Sequence, residues 1–458
     1  MQNEPAATET MITREKRLSA LSALYDGTEG YLEELENGRV AQRIRTFSQE
    51  IPSDLTYALR LLSRIQGVDL VVHGPEGCAV PLLSFCKAIG NRWAATNLRE
   101  RDLILGGEGK LRTVLKRLST ERHPALICIL ATPPVSVNND DINAAAASFQ
   151  KETGIKTLVI STTGFRSRIG LNGYDEALQA LLDGLAAAEQ EEDQPYLNLL
   201  SVSESLEEIR TVTDLFADLG LRVHVLPSFA DLRAFRTAGC AAASVCINPD
   251  ESAYLGEALE KTFGVPFVRT GVPIGYRGTA EWLEQVTEIV GISASPTSAG
   301  QQDIRLDGRK IYIAAQPVFA LALARFLEEQ GAEVVGLTLT HVEVGHVALL
   351  RKTLGRYKIH VADGQGFELT NILDAIKLDL FIGRQIDFRP VARLGIPVVS
   401  AGESGLFGYR GADRLLRRIR NALLHPGFVE KLAAYTRQPY QEKWLRKKPS
   451  WHIKREVR

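Results

Sequence analysis

VDLVVHGPEGCAVPLL, residues 68–83, passes from a strand through a tight turn into a helix. VDLVV (68–72) is a short β-rich run, and Leu70, Val71 and Val72 read as the end of a buried strand. Gly74, Pro75 and Gly77 permit a sharp reversal that larger side chains would obstruct. The stretch after the turn has helical spacing, so Cys78 stands near a helix N-terminus, where the macrodipole favours negative charge and metal ligation. A free cysteine is also among the most buried residue types, so these residues alone leave Cys78 either a ligand or a packing group.

The same alternation continues along the chain. Short β-rich runs, ALICIL (125–130), KTLVIS (156–161), YLNLLSV (196–202) and LRVHVL (221–226), are separated by amphipathic helical stretches. A second series contains ASVCI, PFVRT, KIYIAA, AEVVGLTL, KIHVAD and DLFIG. Strands that alternate with helices predict βαβ units and parallel sheets covered on both faces. The expected fold is therefore α/β, with three Rossmann-like domains of parallel sheets flanked by helices. Two polar stretches mark boundaries: AAEQEEDQPY (187–196) and ISASPTSAGQQD (292–303). The domains are expected at 51–190, 195–295 and 304–430, with an N-terminal helical arm at 1–50 and a basic C-terminal tail at 431–458.

The second and third domains share an internal repeat. Residues 263–289 and 394–423 both run Gly-x-Pro, short strand, Gly-rich loop, Gly-Tyr-Arg-Gly, helix. Arg277 and Arg410 in these units either anchor the turn or contact a ligand. The tail QEKWLRKKPSWHIKREVR (441–458) reads as a solvated arm or as a clamp over a partner.

Composition removes several classes. A chain of 458 residues with 45% apolar and 24% charged residues is ordinary globular material for several domains. A formal net charge of -1 gives no steering toward nucleic acid or an acidic membrane surface. Five cysteines, odd in number and set in apolar segments, do not form a secreted disulfide framework. No run of about 18 apolar residues occurs and the N-terminus has no apolar core, so a cytoplasmic protein without nucleic-acid or membrane partners is expected.

Common catalytic signatures are missing. LGGEGKL (105–111) is glycine-rich but comes after a polar run and lacks the spacing and the Ser/Thr of a phosphate-binding loop. No Gly-x-Ser-x-Gly elbow, His-Glu-x-x-His helix or Cys-x-x-Cys pair is present. Catalytic residues are therefore not assignable from motifs.

In order and spacing, VVHGPEGC (71–78), TNLRERDLILGGEGKL (96–111), ILATPPVSVNNDDI (129–142) and ISTTGFRS (160–167) resemble the first domain of nitrogenase component 1 subunits. The Gly-Tyr-Arg-Gly units and GRKIYIAAQPVFALALARFLEEQGAEVVGL (308–337) extend the likeness over roughly residues 50–425. This resemblance implies an iron-sulfur cluster ligated by cysteines at an interface between paired subunits. The cysteine after His-Gly-Pro-x-Gly is present as Cys78; the other two positions fall near Ser53 and on Pro133. One thiolate cannot hold a four-iron cluster, so by resemblance this is a second-type, β-like subunit sharing the cluster with a homologous partner, as a heterodimer or α2β2 assembly. Electrons would come from an ATP-dependent iron protein.

His73 and Cys246 are secondary candidates: His73 as turn cap or proton-transfer group, Cys246 because it lies near the strand end where nitrogenases hold their active-site cofactor. The loop that should add a histidine reads SAGESGLFGYRG (400–411), so a complete cofactor-ligand set is not expected. Cys86, Cys128 and Cys240 read as core. The expected function is thus a nitrogenase-like oxidoreductase subunit of undetermined substrate. Alternatives are a scaffold subunit for nitrogenase cofactor maturation and a cluster-free Rossmann-type binding protein.

Overall fold

The computed structural model describes residues 23–37, 43–44, 53–83, 92–121, 123–138, 140–164, 169–189, 195–292, 304–353, 355–401 and 405–455. Cys86, residues 190–194 and 293–303 of the expected boundary stretches, and residues 1–22 lie outside them. Two short strands, β1 (Ala23–Asp26) and β2 (Arg43–Ile44), lie on either side of the helix Thr28–Glu36.

The first sheet joins β3 (Val68–His73), β4 (Trp93–Ala95), β5 (Leu126–Ala131) and β6 (Lys156–Ile160) in the order β4-β3-β5-β6, all parallel. Every residue of β3 and β5 is buried. Strand alternation sends Leu70, Val72, Cys128 and Leu130 into one core cluster and Val71, Ile127 and Ile129 into another on the opposite face. Two covered faces explain why β5 reads as a continuous apolar run and β3 as a mainly apolar one, in which buried Asp69 accepts the Arg92 amide at 3.2 Å.

The second sheet is also parallel and joins β7 (Tyr196–Ser201), β8 (Arg222–Pro227), β9 (Ala243–Cys246) and β10 (Phe267–Val268), in the order β10-β9-β7-β8. The third contains β11 (Lys310–Ala315), β12 (Glu333–Leu339), β13 (Ile359–Ala362), β14 (Leu380–Gly383) and β15 (Val398–Ser400), ordered β13-β12-β11-β14-β15 and parallel. The fold is α/β throughout, with parallel sheets flanked by helices.

Both chain ends differ from the expected arm and tail. β1 adds to β13 antiparallel, pairing Ala23 with Ala362, so part of the N-terminal segment is a strand of the third sheet. It covers backbone groups that a bare sheet edge would expose. The tail returns to the same region: β16 (Lys454–Arg455) pairs with β2, and the buried Asn371 amide donates to the carbonyls of Leu445 and Lys447 at 2.5 and 2.9 Å. Phe367 packs edge-on against Tyr440 and His452. Tyr440 and His452 thus serve intrachain packing, while Tyr435, Trp444 and Trp451 stay exposed.

The repeat units open the helices Gly275–Val290 and Gly408–Leu424, each on a glycine in the left-handed region (φ 76° and 73°). These helices pack on each other, and the Tyr276 hydroxyl donates to Asp413. Arg277 and Arg410 are exposed, paired with Glu281 and Asp214, which supports the anchoring reading over ligand contact.

One close approach fixes the first unit. A Cβ at Gly173, in the helix Asn172–Leu185, would stand 1.9 Å from the Asp54 carbonyl oxygen of the helix Asp54–Leu62. Because the obstructing atom is backbone, Gly173→Ala is expected to cost about 2–3 kcal/mol by forcing the helices apart. A lowered thermal-unfolding midpoint checks this; an unchanged midpoint would contradict the contact.

Candidate functional site

At the C-terminal edge of the first sheet the chain turns on Gly74, where a Cβ would meet the Thr132 hydroxyl oxygen at 2.0 Å. Thr132 in turn donates to the His73 carbonyl at 3.0 Å, tying the ends of β3 and β5 together. His73 is fully buried, with Nε2 3.2 Å from Asp140 Oδ2 and Nδ1 3.1 Å from Thr96 Oγ1. The carboxylate only accepts, so the Nε2 proton points to Asp140. Burial, outweighing Asp140, pushes the His73 pKa down and favours neutral imidazole. Asp140 also accepts the Gly107 amide at 2.9 Å. A side chain at Gly107 would press on Asp140, Leu98 and His73, which explains that glycine of the run at 105–111. His73 therefore braces the turn from behind. Asp140 and Thr96, its partners, lie in the resembling stretches 129–142 and 96–111, where nothing singles them out as a pair for His73.

Cys78 lies in the first turn of the helix Glu76–Leu83 and is partly exposed. Desolvation pushes its thiol pKa up, so the thiolate that a helix N-terminus was expected to favour does not prevail without a ligand. The two other positions of the resembling ligand set converge on the same edge. Ser53 is the N-cap of the helix Asp54–Leu62, accepting the Thr56 amide at 3.3 Å. Pro133 opens the helix Pro133–Asn138 and stands 3.4 Å from the Cβ position of Gly164, whose amide donates to Asp54 at 2.7 Å. Ser53 and Pro133 thus have structural tasks, and Cys78 is the one thiol among these positions. On the adjoining helices, Ile104, Leu105 and Val137 are each more than 70% exposed.

The remaining described cysteines are not brought to this edge. Cys128 is enclosed in β5, as expected. Cys240 is exposed, contrary to the core expectation, because the 3-10 turn Ala238–Cys240 buries Ala238 and leaves its last residue outside. Cys246 is buried at the end of β9, its thiol pushed up to about 12 by desolvation. Its side chain belongs to the core, while its successors Ile247 and Asn248 face a large cavity between the three units.

This cavity, about 1160 Å³, opens where the second and third sheets present strand ends, with the helices Asp54–Leu62 and Asn172–Leu185 of the first unit along one side. Tyr57 and Tyr174 come from the first unit, Ser203, Glu208, Asn248 and Glu251 from the second, Gln316, Phe319, Arg384 and Phe407 from the third. Crevices beyond the carboxyl ends of parallel strands are the usual ligand sites of such sheets. Among the described residues the lining contains no cysteine and no histidine.

A polar clamp holds the second and third units together beside the cavity. Asp250 Oδ2 accepts the amides of Val318 and Phe319, at 2.8 and 3.4 Å, in the first turn of the helix Pro317–Glu329. Its Oδ1 accepts His346 Nε2–H at 3.0 Å. Next to it, Asn248 Nδ2 donates to Gln316 Oε1 at 2.6 Å, and Gln316 Nε2 donates to Glu251 Oε1 at 2.8 Å. Asp250, His341 and His346 have metal-ligand character, with donor atoms within 4.8 Å of one another. The Glu343 amide, however, donates to His346 Nδ1 at 3.1 Å, fixing the ring proton on Nε2 and committing it to Asp250. The cluster reads as an interdomain strut.

The family described as nitrogenase component 1 type oxidoreductase matches residues 53–424. The nitrogenase iron-molybdenum cofactor biosynthesis protein NifE of Methanococcus maripaludis is 23% identical over 383 residues, 78% of this chain and 79% of its own length. The nitrogenase molybdenum-iron protein beta chain of Methanothermobacter thermautotrophicus is 25% identical over 421 residues, covering 77% of this chain and 89% of that one. The solved structure of nitrogenase Cp1 at pH 6.5 superposes with a TM-score of 0.71 at 18% identity, over 87% of this chain and 96% of that chain, which is a likeness of fold. No helix among the described residues is long and apolar enough to cross a membrane.

Proposed function

The chain belongs to the nitrogenase component 1 type oxidoreductase family, and from that premise we propose that it is a subunit which shares an iron-sulfur cluster with a homologous partner and receives electrons from an ATP-dependent iron protein. The observation that carries this reading is Cys78: a partly exposed thiol on a braced turn, beside positions taken by Ser53 and Pro133. That donor set fits one ligand of a cluster and not a whole site, so the partner supplies the other thiolates. When bound, such a cluster supplies one-electron transfer at the interface.

The chain's own contributions are positional. Burial holds the proton on the Cys78 sulfur, and ligation removes it. The His73–Asp140 pair and the Gly74–Thr132 contact fix the turn, so the thiol is presented with little reorganisation. The exposed Ile104, Leu105 and Val137 give the same end of the sheet apolar surface for a partner. The substrate-side role falls to the interdomain cavity, whose lining does not fit a metal cofactor held by thiolate or imidazole.

A scaffold in cofactor maturation is the second reading, favoured by the cofactor-biosynthesis role that the NifE relatives are named for; the donor-poor cavity argues against it. Co-expression of this chain with its homologous partner separates the outcomes. A stable hetero-oligomer with bound iron and a paramagnetic signal on reduction is expected. No stable complex, or a complex without iron, would overturn the proposal, and release of a metallocluster to an acceptor protein would favour the scaffold.

A further inference from the structure

We infer that the interdomain cavity binds a metal-free organic molecule with an apolar body and a cationic group, such as a protonated amine. This deepens the reading of the cavity as the substrate side of the proposed subunit and does not depend on the cluster. The size admits such a molecule: about 1160 Å³ exceeds the roughly 300–1,000 Å³ of ordinary small-molecule pockets. The apolar wall consists of two edge-to-face pairs, Tyr57 with Tyr174 at 5.0 Å and Phe319 with Phe407 at 6.0 Å between ring centroids. Aromatic faces receive both hydrocarbon and cations.

Charge decides the sign of the ligand. Two arginines line the cavity, and carboxylates already engage both. Arg384 Nη1 donates to Asp363 at 2.5 Å and its Nε lies 3.5 Å from Asp387. Arg60 lies 3.5 Å from Glu204, which also binds Arg64 at 2.6 Å. Glu208 is differently placed: it lines the cavity, accepts the Gly405 amide at 3.1 Å and forms no ion pair among the described residues. Burial pushes its pKa up, which marks the charged carboxylate as poorly compensated. A ligand cation would provide that compensation, whereas an anionic cluster or a carboxylate ligand would add repulsion.

The test is isothermal titration of the full chain alone, in metal-free buffer, with two probes of like shape and opposite charge: 2-naphthylmethylammonium and 2-naphthoate. The ammonium probe is expected to bind at least about tenfold more tightly, a difference of ~1.4 kcal/mol. Glu208→Gln should erase most of that preference without weakening the carboxylate probe. The variant should melt no lower than the parent, because Gln keeps an acceptor for Gly405 while removing the poorly compensated charge. Equal or tighter binding of naphthoate, no binding of either probe, or an unchanged preference in Glu208→Gln would overturn the inference. The probe comparison on the unmodified chain stands even if the variant misfolds. Since no partner or iron is present, failure here leaves the cluster proposal intact, and failure of the co-expression test leaves this one.

Discussion

Replacing Cys78 by Ala is expected to strip the iron from the complex of this chain with its partner and to abolish electron transfer, while the chain itself still folds. The two parts of the result have separate causes. A four-iron cluster that loses one of four thiolates loses a covalent anchor and exposes a coordination site. The fold loses only one partly exposed sulfur, about 1 kcal/mol or less by the scale of buried truncations. The turn is held by other groups: Thr132 to the His73 carbonyl, and His73 to Asp140. Cys78→Ser should give an intermediate result, since oxygen is a harder, weaker ligand for iron than thiolate. Cys240→Ala is the control, an exposed thiol in the second unit. The measurements are iron per heterodimer and the signal of the reduced complex. If iron, signal and turnover are unchanged in Cys78→Ala, the cluster rests wholly on the partner.

Asp250→Ala should produce the largest loss of stability, about 4 kcal/mol, in the range found when one partner of a buried charged contact is removed. Three donors lose their acceptor at once: the Val318 and Phe319 amides and His346 Nε2–H. An unsatisfied buried donor costs about 1–3 kcal/mol, and the Asp250 carboxylate also faces the positive end of the helix Pro317–Glu329. Asp250→Asn keeps an oxygen for the helix amides and should lose less. Thermal unfolding measures the total, and hydrogen exchange at Val318 and Phe319 locates it. A change within about 0.5 kcal/mol, the ordinary range for surface sites, would show that the units are held together elsewhere.

Much of this architecture is legible locally. The strands β3 and β5 read as buried parallel strands because both faces are covered and their runs are mainly apolar; Asp69, within β3, is buried with the Arg92 amide as its donor. The repeat helices are visible because Gly275 and Gly408 hold a left-handed backbone that glycine adopts readily. Cys78 is legible because its turn and helix are one continuous stretch. The ends of the chain read as arm and tail without their strand pairings, because β1, β2 and β16 are only two to four residues long and acquire meaning only from partners far along the chain. Local patterning cannot supply a sheet edge that needs covering.

The sequence by itself determined the α/β class, the family-like series of turns and the thiol of Cys78 after β3. Tertiary structure alone decided the polar groups. Asp140 faces His73 across 67 residues, Asp250 reaches His346 across 96, and Glu208 meets Gly405 across 197. It also turned Cys246 into the core and left Cys240 outside. The physical reason is that an apolar residue declares its burial through periodicity with its neighbours, whereas an isolated Asp or Glu looks the same in sequence whether it meets water or a distant amide.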